Sequence, residues 1–186
     1  VILRDIIHER KYTNEEFSVA VNFLSAYMKE HMAEEVLICA DNSVELAILY
    51  FAGLFSGKVM IPIDPEKEVG EVERIKALHP QASFIDNNEA HKIVSAQVYT
   101  EEKSTRLLWE RVDFDILFLI TYTSGSTGTP KGVRHTAENL FAAAYEFGIM
   151  LKYGQHTVMG HCMPMTYMAG ILNTIIMPYL MGGCIA

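Results

Sequence analysis

With 186 residues, half of them hydrophobic and a fifth charged, the chain has the length of one domain built on one good core. A net charge of −8 argues against a nucleic-acid-binding surface, because phosphate backbones are held by clustered Lys and Arg; a local basic spot for a nucleotide stays open. No repeat or low-complexity signal appears, and three scattered cysteines, Cys39, Cys162 and Cys184, read as free thiols of a reducing cytoplasm.

Charges at Arg4, Asp5, Glu9, Arg10 and Lys11, with no long apolar run after them, do not make a signal peptide. Thr13 with Glu16 three residues on is a capping-box signature. Phe17, Ala20, Val21, Leu24, Tyr27 and Met28 then recur at helical spacing, predicting an amphipathic helix to about His31. The run 35–40 reads as a buried strand, and Asn42 with Glu45 starts a second helix, Val44 to Phe55, ended by Gly57 in a left-handed cap. Val59 to Pro65 is the next strand, stopped by its prolines. A charged helix, Glu68 to Leu78, and a short strand, Ala82 to Asp86, follow. Residues 87–113 are the least regular, with an edge strand expected at Ile93 to Tyr99.

The sheet resumes at Ile116 to Ile120, a β-branched and aromatic run. Beyond it, Gly132 to His135 is a short strand, Thr136 an N-cap and Ala137 to Leu151 a helix. Thr157 to Cys162 is another strand, Met168 to Met181 an apolar helix, and Cys184 to Ala186 the start of one more strand. Pro164, Asn173, Pro178 and several glycines interrupt the last apolar region, so a buried helix is expected there and no membrane span. Alternating strands and helices with continuously apolar strands predict an α/β fold, a mostly parallel sheet flanked by helices.

The chemistry concentrates between two of these strands. Nine residues, Thr123 to Lys131, contain three threonines, two serines, two glycines, one proline and one lysine. Gly125 and Gly128 let backbone N–H groups turn one way, the hydroxyls add donors, and Lys131 adds a mobile positive charge. That combination suits a polyphosphate. The P-loop pattern fails, since Pro130 stands where its second glycine belongs and Gly132 where its Ser/Thr belongs; G-x-G-x-x-G fails on spacing. Composition alone fits equally a solvated hairpin turn. Seven dispersed histidines without paired ligand spacing argue against a metal site.

Taken in order, T-S-G-S-T-G-T-P-K-G from Thr123 to Gly132 resembles the signature loop of the adenylate-forming superfamily: acyl-CoA synthetases, luciferase-like ligases and amino-acid adenylation domains. Leu54 to Pro65 looks like the family's early A-G-x-x-x-x-P-x-x-P segment, and Tyr12 to Phe17 like its opening Y-T-x-x-E element. Pro164 to Gly170 is similar to the P-x-x-H-x-x-G segment beside the acyl pocket. Tyr167 stands where many acyl-CoA synthetases carry a histidine, and Ala137 replaces another, while His135, two residues earlier, reads as surface-facing.

The resemblance implies ATP-dependent activation of a carboxylic acid as an acyl-adenylate, release of pyrophosphate, and transfer to CoA or an acyl or peptidyl carrier protein: an acid–thiol ligase using ATP and Mg²⁺. Thr123, Ser124, Gly125, Ser126, Thr127, Gly128 and Lys131 would bind the β- and γ-phosphates; Tyr167 and Gly170 would line the substrate pocket. The chain then resembles an incomplete N-terminal sub-domain, 1–186. The adenine-contacting Y-G-x-T-E segment, the ribose-binding aspartate and the C-terminal catalytic lysine are absent from it, so alone it is expected to be inactive. Two alternatives stay open. An amino-acid adenylation domain is favoured by Ile61 to Pro65 but lacks the Phe-Asp pair expected near 165–168. A non-catalytic nucleotide-binding or scaffold module would also retain the loop.

Overall fold

In the computed structural model, residues 2–6, 9–96, 105–123 and 130–186 are described. Five strands form the main sheet: β3 (Glu35–Cys39), β4 (Val59–Pro62), β5 (Ser83–Asp86), β6 (Leu117–Thr123) and β7 (Lys131–Thr136), in the order β5-β3-β4-β6-β7. The first four run parallel; β7 returns antiparallel to β6. Both faces of β3 are buried, with Val36 and Ile38 on one side and Leu37 on the other, which is why its sequence is a continuous apolar run.

Helix α1 (Asn14–His31) begins at the anticipated capping box. Thr13 Oγ1 accepts from the Glu16 N–H, and the Glu16 carboxylate accepts from the Thr13 N–H at 2.7 Å. Helix α2 (Val44–Ser56) is buried at every position from Val44 to Leu54, as a helix apolar all round must be. It lies in the larger core with α1, on the Val36–Ile38 side of the sheet. Gly57 closes it at φ 71°, the left-handed conformation that glycine adopts without steric cost. Its N-cap is Ser43, whose hydroxyl accepts from the Leu46 N–H, and not Asn42. Helix α3 (Val69–Leu78) covers the opposite face, Ile75 packing on Leu37, Ile61 and Ile120.

Two expectations are overturned. The strand placed at Ile93 to Tyr99 is, as far as described, part of helix α4 (Asn87–Ala96); residues 97–100 lie outside the described residues. Ala90, Ile93 and Val94 form its buried face at i, i+3, i+4, and Asp86 Oδ1 accepts from the Glu89 N–H. The β-branched pair had suggested a strand where the burial period is helical. The strand at Thr157 to Cys162 shrinks to β8 (Val158–Met159).

A second, small sheet was not foreseen. Strands β1 (Leu3–Asp5) and β2 (Arg10–Tyr12) pair antiparallel, β1 runs parallel to β9 (Cys184–Ile185), and β9 parallel to β8, giving the order β2-β1-β9-β8. Helix α5 (Ala137–Met150), capped by Thr136, leads to α6 (Met168–Ile171), which continues through a π-helical stretch (Leu172–Ile176) into α7 (Met177–Leu180). The Met177 N–H reaches the Leu172 carbonyl, and this wider register lets the helix pass Pro178, whose ring would clash in a normal α-turn. Phe17, Phe51, Trp109, Phe141 and Tyr179 knit α1, α2, α5 and α7 together, with ring centroids 4.6–6.3 Å apart.

Candidate functional site

Parallel strands β3, β4 and β6 all point their carboxyl ends to one edge of the sheet. The chain leaves β3 for α2 on one face and leaves β4 for α3 on the other, so the two following loops diverge. In open α/β sheets such a fork is where ligands bind. At the same edge, β6 and β7 form the hairpin that carries the serine- and glycine-rich loop, with Thr123 opposite Lys131 in the last register pair. Ser124, Gly125, Ser126, Thr127 and Gly128 lie outside the described residues. Thr123 and Lys131 are both exposed, and the Lys131 ammonium forms no ion pair among the described residues. A cation so placed, with no ion pair among the described residues, suits an anion.

The strand beneath this mouth is held by a side-chain chain not visible in the sequence. His79 Nδ1 lies 2.8 Å from the Glu35 carboxylate, and His79 Nε2 lies 2.7 Å from the Tyr122 hydroxyl. Burial, and then the Glu35 charge, push the Tyr122 phenol above its usual range, so it remains protonated at neutral pH. The Tyr122 ring passes over Gly132, its cross-strand partner. A Cβ there would come within 3.0 Å of Ile120 Cγ2 and 3.3 Å of Tyr122 Cζ, so Gly132 is set by packing. His135, expected to face solvent, is instead half-buried, 3.2 Å from Thr121 Oγ1, and burial lowers its pKa.

Tyr167 belongs to a segment that lies across the fork. Asn42, in the loop after β3, donates from Nδ2 to the Met163 carbonyl (2.8 Å) and accepts at Oδ1 from the Met165 N–H (2.7 Å). The buried Tyr50 hydroxyl donates to the Met165 carbonyl at 2.6 Å. The Tyr167 hydroxyl donates to Asp64, in the loop after β4, at 2.8 Å, and that hydrogen bond, then burial, raises the phenol's pKa. Tyr167 is 48% exposed. Gly170 is buried one turn into the helix, and a Cβ there would sit 2.1 Å from the Pro164 carbonyl oxygen. Tyr167 and the hairpin mouth therefore share the carboxyl edge, while Gly170 backs the segment through a close approach.

Next to this segment is a cleft of about 290 Å³, lined among others by Arg10, Asn42, Glu45, His161 and Met165. Arg10 bridges Asp5 (2.9 Å) and Glu45 (3.0 Å), tying the small sheet to the start of α2. Burial would raise the Glu45 pKa, but the Arg10 hydrogen bond and charge outweigh it and hold the carboxyl below its ordinary range. His161 Nδ1 meets Thr174 Oγ1 at 2.5 Å within the π-helical stretch, and burial lowers its pKa. No group of three or more His, Cys, Asp or Glu among the described residues is placed to hold a metal. Cys39, Cys162 and Cys184 are free thiols.

A family model described as "AMP-binding enzyme" matches residues 2–186. The chain belongs to the AMP-binding enzyme family. Among relatives of this AMP-binding chain is acetyl-coenzyme A synthetase of Bacillus subtilis (strain 168), 31% identical over 164 residues, covering 73% of the chain and 29% of the relative. Another is the D-alanine–D-alanyl carrier protein ligase of Listeria innocua, 28% identical over 132 residues, covering 64% and 26%. ATP-bound MatB from Rhodopseudomonas palustris superposes with a TM-score of 0.83 at 17% identity over 99% of the chain and 41% of its own length, a likeness of fold. The chain thus spans under a third of these two curated relatives. The adenylate-forming resemblance and the α/β architecture of mostly parallel strands are thereby established for it. No described helix is long and apolar enough to cross a membrane.

Sequence reading missed Asn42, Tyr50 and Asp64 as partners of the 163–167 segment, and Glu35 and His79 as partners of Tyr122. Asn42 was within reach: a Ser follows it, and Ser43 alone suffices to cap α2, leaving the asparagine amide unassigned. The others are joined by contacts distant in sequence, which no local pattern encodes.

Proposed function

We propose that the full-length protein activates a carboxylic acid with ATP and that this chain is the N-terminal part of its AMP-binding domain. The carboxylate attacks the α-phosphorus, the bond to pyrophosphate breaks, and the acyl-adenylate is then taken by a thiol of CoA or a carrier protein, releasing AMP. The observation that carries the reading is Lys131, without an ion pair among the described residues, opposite Thr123 at the hairpin mouth on the carboxyl edge of the sheet. Lys131 counters the charge that builds on the departing pyrophosphate, and Thr123 donates its hydroxyl. Ser124, Gly125, Ser126, Thr127 and Gly128 supply the remaining donors. Tyr167 and the backbone braced by Gly170 wall the acid site. Mg²⁺ would share the charge of the triphosphate, carried chiefly by the nucleotide phosphates.

A second reading, activation of an amino acid, is favoured by the similarity to a D-alanine ligase and by Ile61 to Pro65. Acid-dependent ATP–pyrophosphate exchange with a panel of fatty, aryl and amino acids separates the two. Label incorporation with one class of acid is expected. Incorporation with none identifies a non-catalytic nucleotide-binding module and overturns the proposal.

A further inference from the structure

The loops after β3 and β4 are bridged by one short segment, 163–167, and the side chains that hold it come from the far end of the sequence. Asn42 matters most. Its amide presents one donor and one acceptor at a fixed spacing, and both are used on backbone groups two residues apart, Met163 C=O and Met165 N–H. Tyr50 takes the other backbone group of Met165. Asn42 is released for this work because Ser43 caps α2. It is also exposed, so removing its amide leaves the core packing untouched.

We propose that Asn42 is a positioning residue for the acid: by fixing the backbone at Met163 and Met165 it sets where the Tyr167 phenol stands, and so the shape of the acid site. This rests on the acid-activating reading above. Two alternatives in the side chain would each fail differently. Aspartate keeps the acceptor for Met165 N–H but turns a second oxygen on the Met163 carbonyl; alanine offers neither bond. Tyr167 can meet Asp64 only while the segment is held across the fork, so the loss at position 42 is transmitted to the phenol.

The test uses the full-length protein and measures KM for acid and for ATP separately by pyrophosphate exchange, with amide hydrogen exchange at Met165. For Asn42→Ala, an acid KM raised about tenfold, an ATP KM within about twofold of wild type, and faster exchange at Met165 are expected. Asn42→Asp should fall between wild type and alanine in acid KM. Unchanged acid KM, or acid and ATP KM rising together as general loosening would make them, overturns the proposal; so does unchanged protection at Met165. A wild-type protein that exchanges label with no acid would instead bring down the functional reading itself, and this inference with it.

Discussion

His161 and Glu45 both make stability depend on pH, in different ranges. His161 is held neutral by burial, so its folded pKa lies below the ordinary 6.5. A depressed histidine contributes stability that is present above 6.5 and lost as pH falls through the folded value, because the unfolded chain binds the proton more readily. His135 adds in the same direction. Glu45, kept ionised by Arg10, has a folded pKa below 4.5; its contribution is present above 4.5 and lost as pH falls through the lower value. Urea unfolding should therefore weaken in two steps, one below pH 6.5 and one below pH 4.5. His161→Asn should flatten the first step and Glu45→Gln the second; a wild-type profile flat from pH 7.5 to 5.5 would contradict the buried-histidine account. At neutral pH Glu45→Gln should cost about 1–2 kcal/mol, between the values for exposed and for buried pairs, because the Arg10 side chain is 38% exposed.

Elements were legible where their signals were local. The capping box at Thr13 and Glu16, the left-handed Gly57 and the N-cap Thr136 all stand where the sequence places them. Thr13→Ala should cost about 1 kcal/mol, read as a small drop in melting temperature. Helix α4 was misread because Ile93 and Val94 carry strand propensity, while its helical burial depends on the α1–α2 layer it packs against. The helix read from Met168 to Met181 was nearly right in extent, but its π-register was not foreseen, since the widened turn answers to Pro178. Gly170→Ala should be far more damaging than its size suggests. The new methyl meets a backbone carbonyl, which yields less readily than a side chain, and a loss of about 1–3 kcal/mol is expected in chemical unfolding. A stability equal to wild type would show that the 164–170 turn relaxes freely.

For the whole molecule, the main sheet could be anticipated because apolar strands alternate with helices. The small sheet could not: β1 and β2 are three residues each and largely charged, and their local pairing joins a larger sheet only where Leu3 meets Ile185 at the other end of the sequence. The same division holds for the site. The strands flanking the loop, which set Thr123 opposite Lys131, followed from residue types in a row, whereas the brace on Tyr167 comes from residues 42, 50 and 64, more than 100 positions away. The central claim, that the hairpin mouth grips the triphosphate tail of ATP, is tested most directly by comparing two exposed lysines in the full-length protein. Pyrophosphate exchange by Lys131→Ala should fall about 100-fold, while Lys152→Ala should stay within about twofold of wild type. Equal rates in the two variants would contradict it.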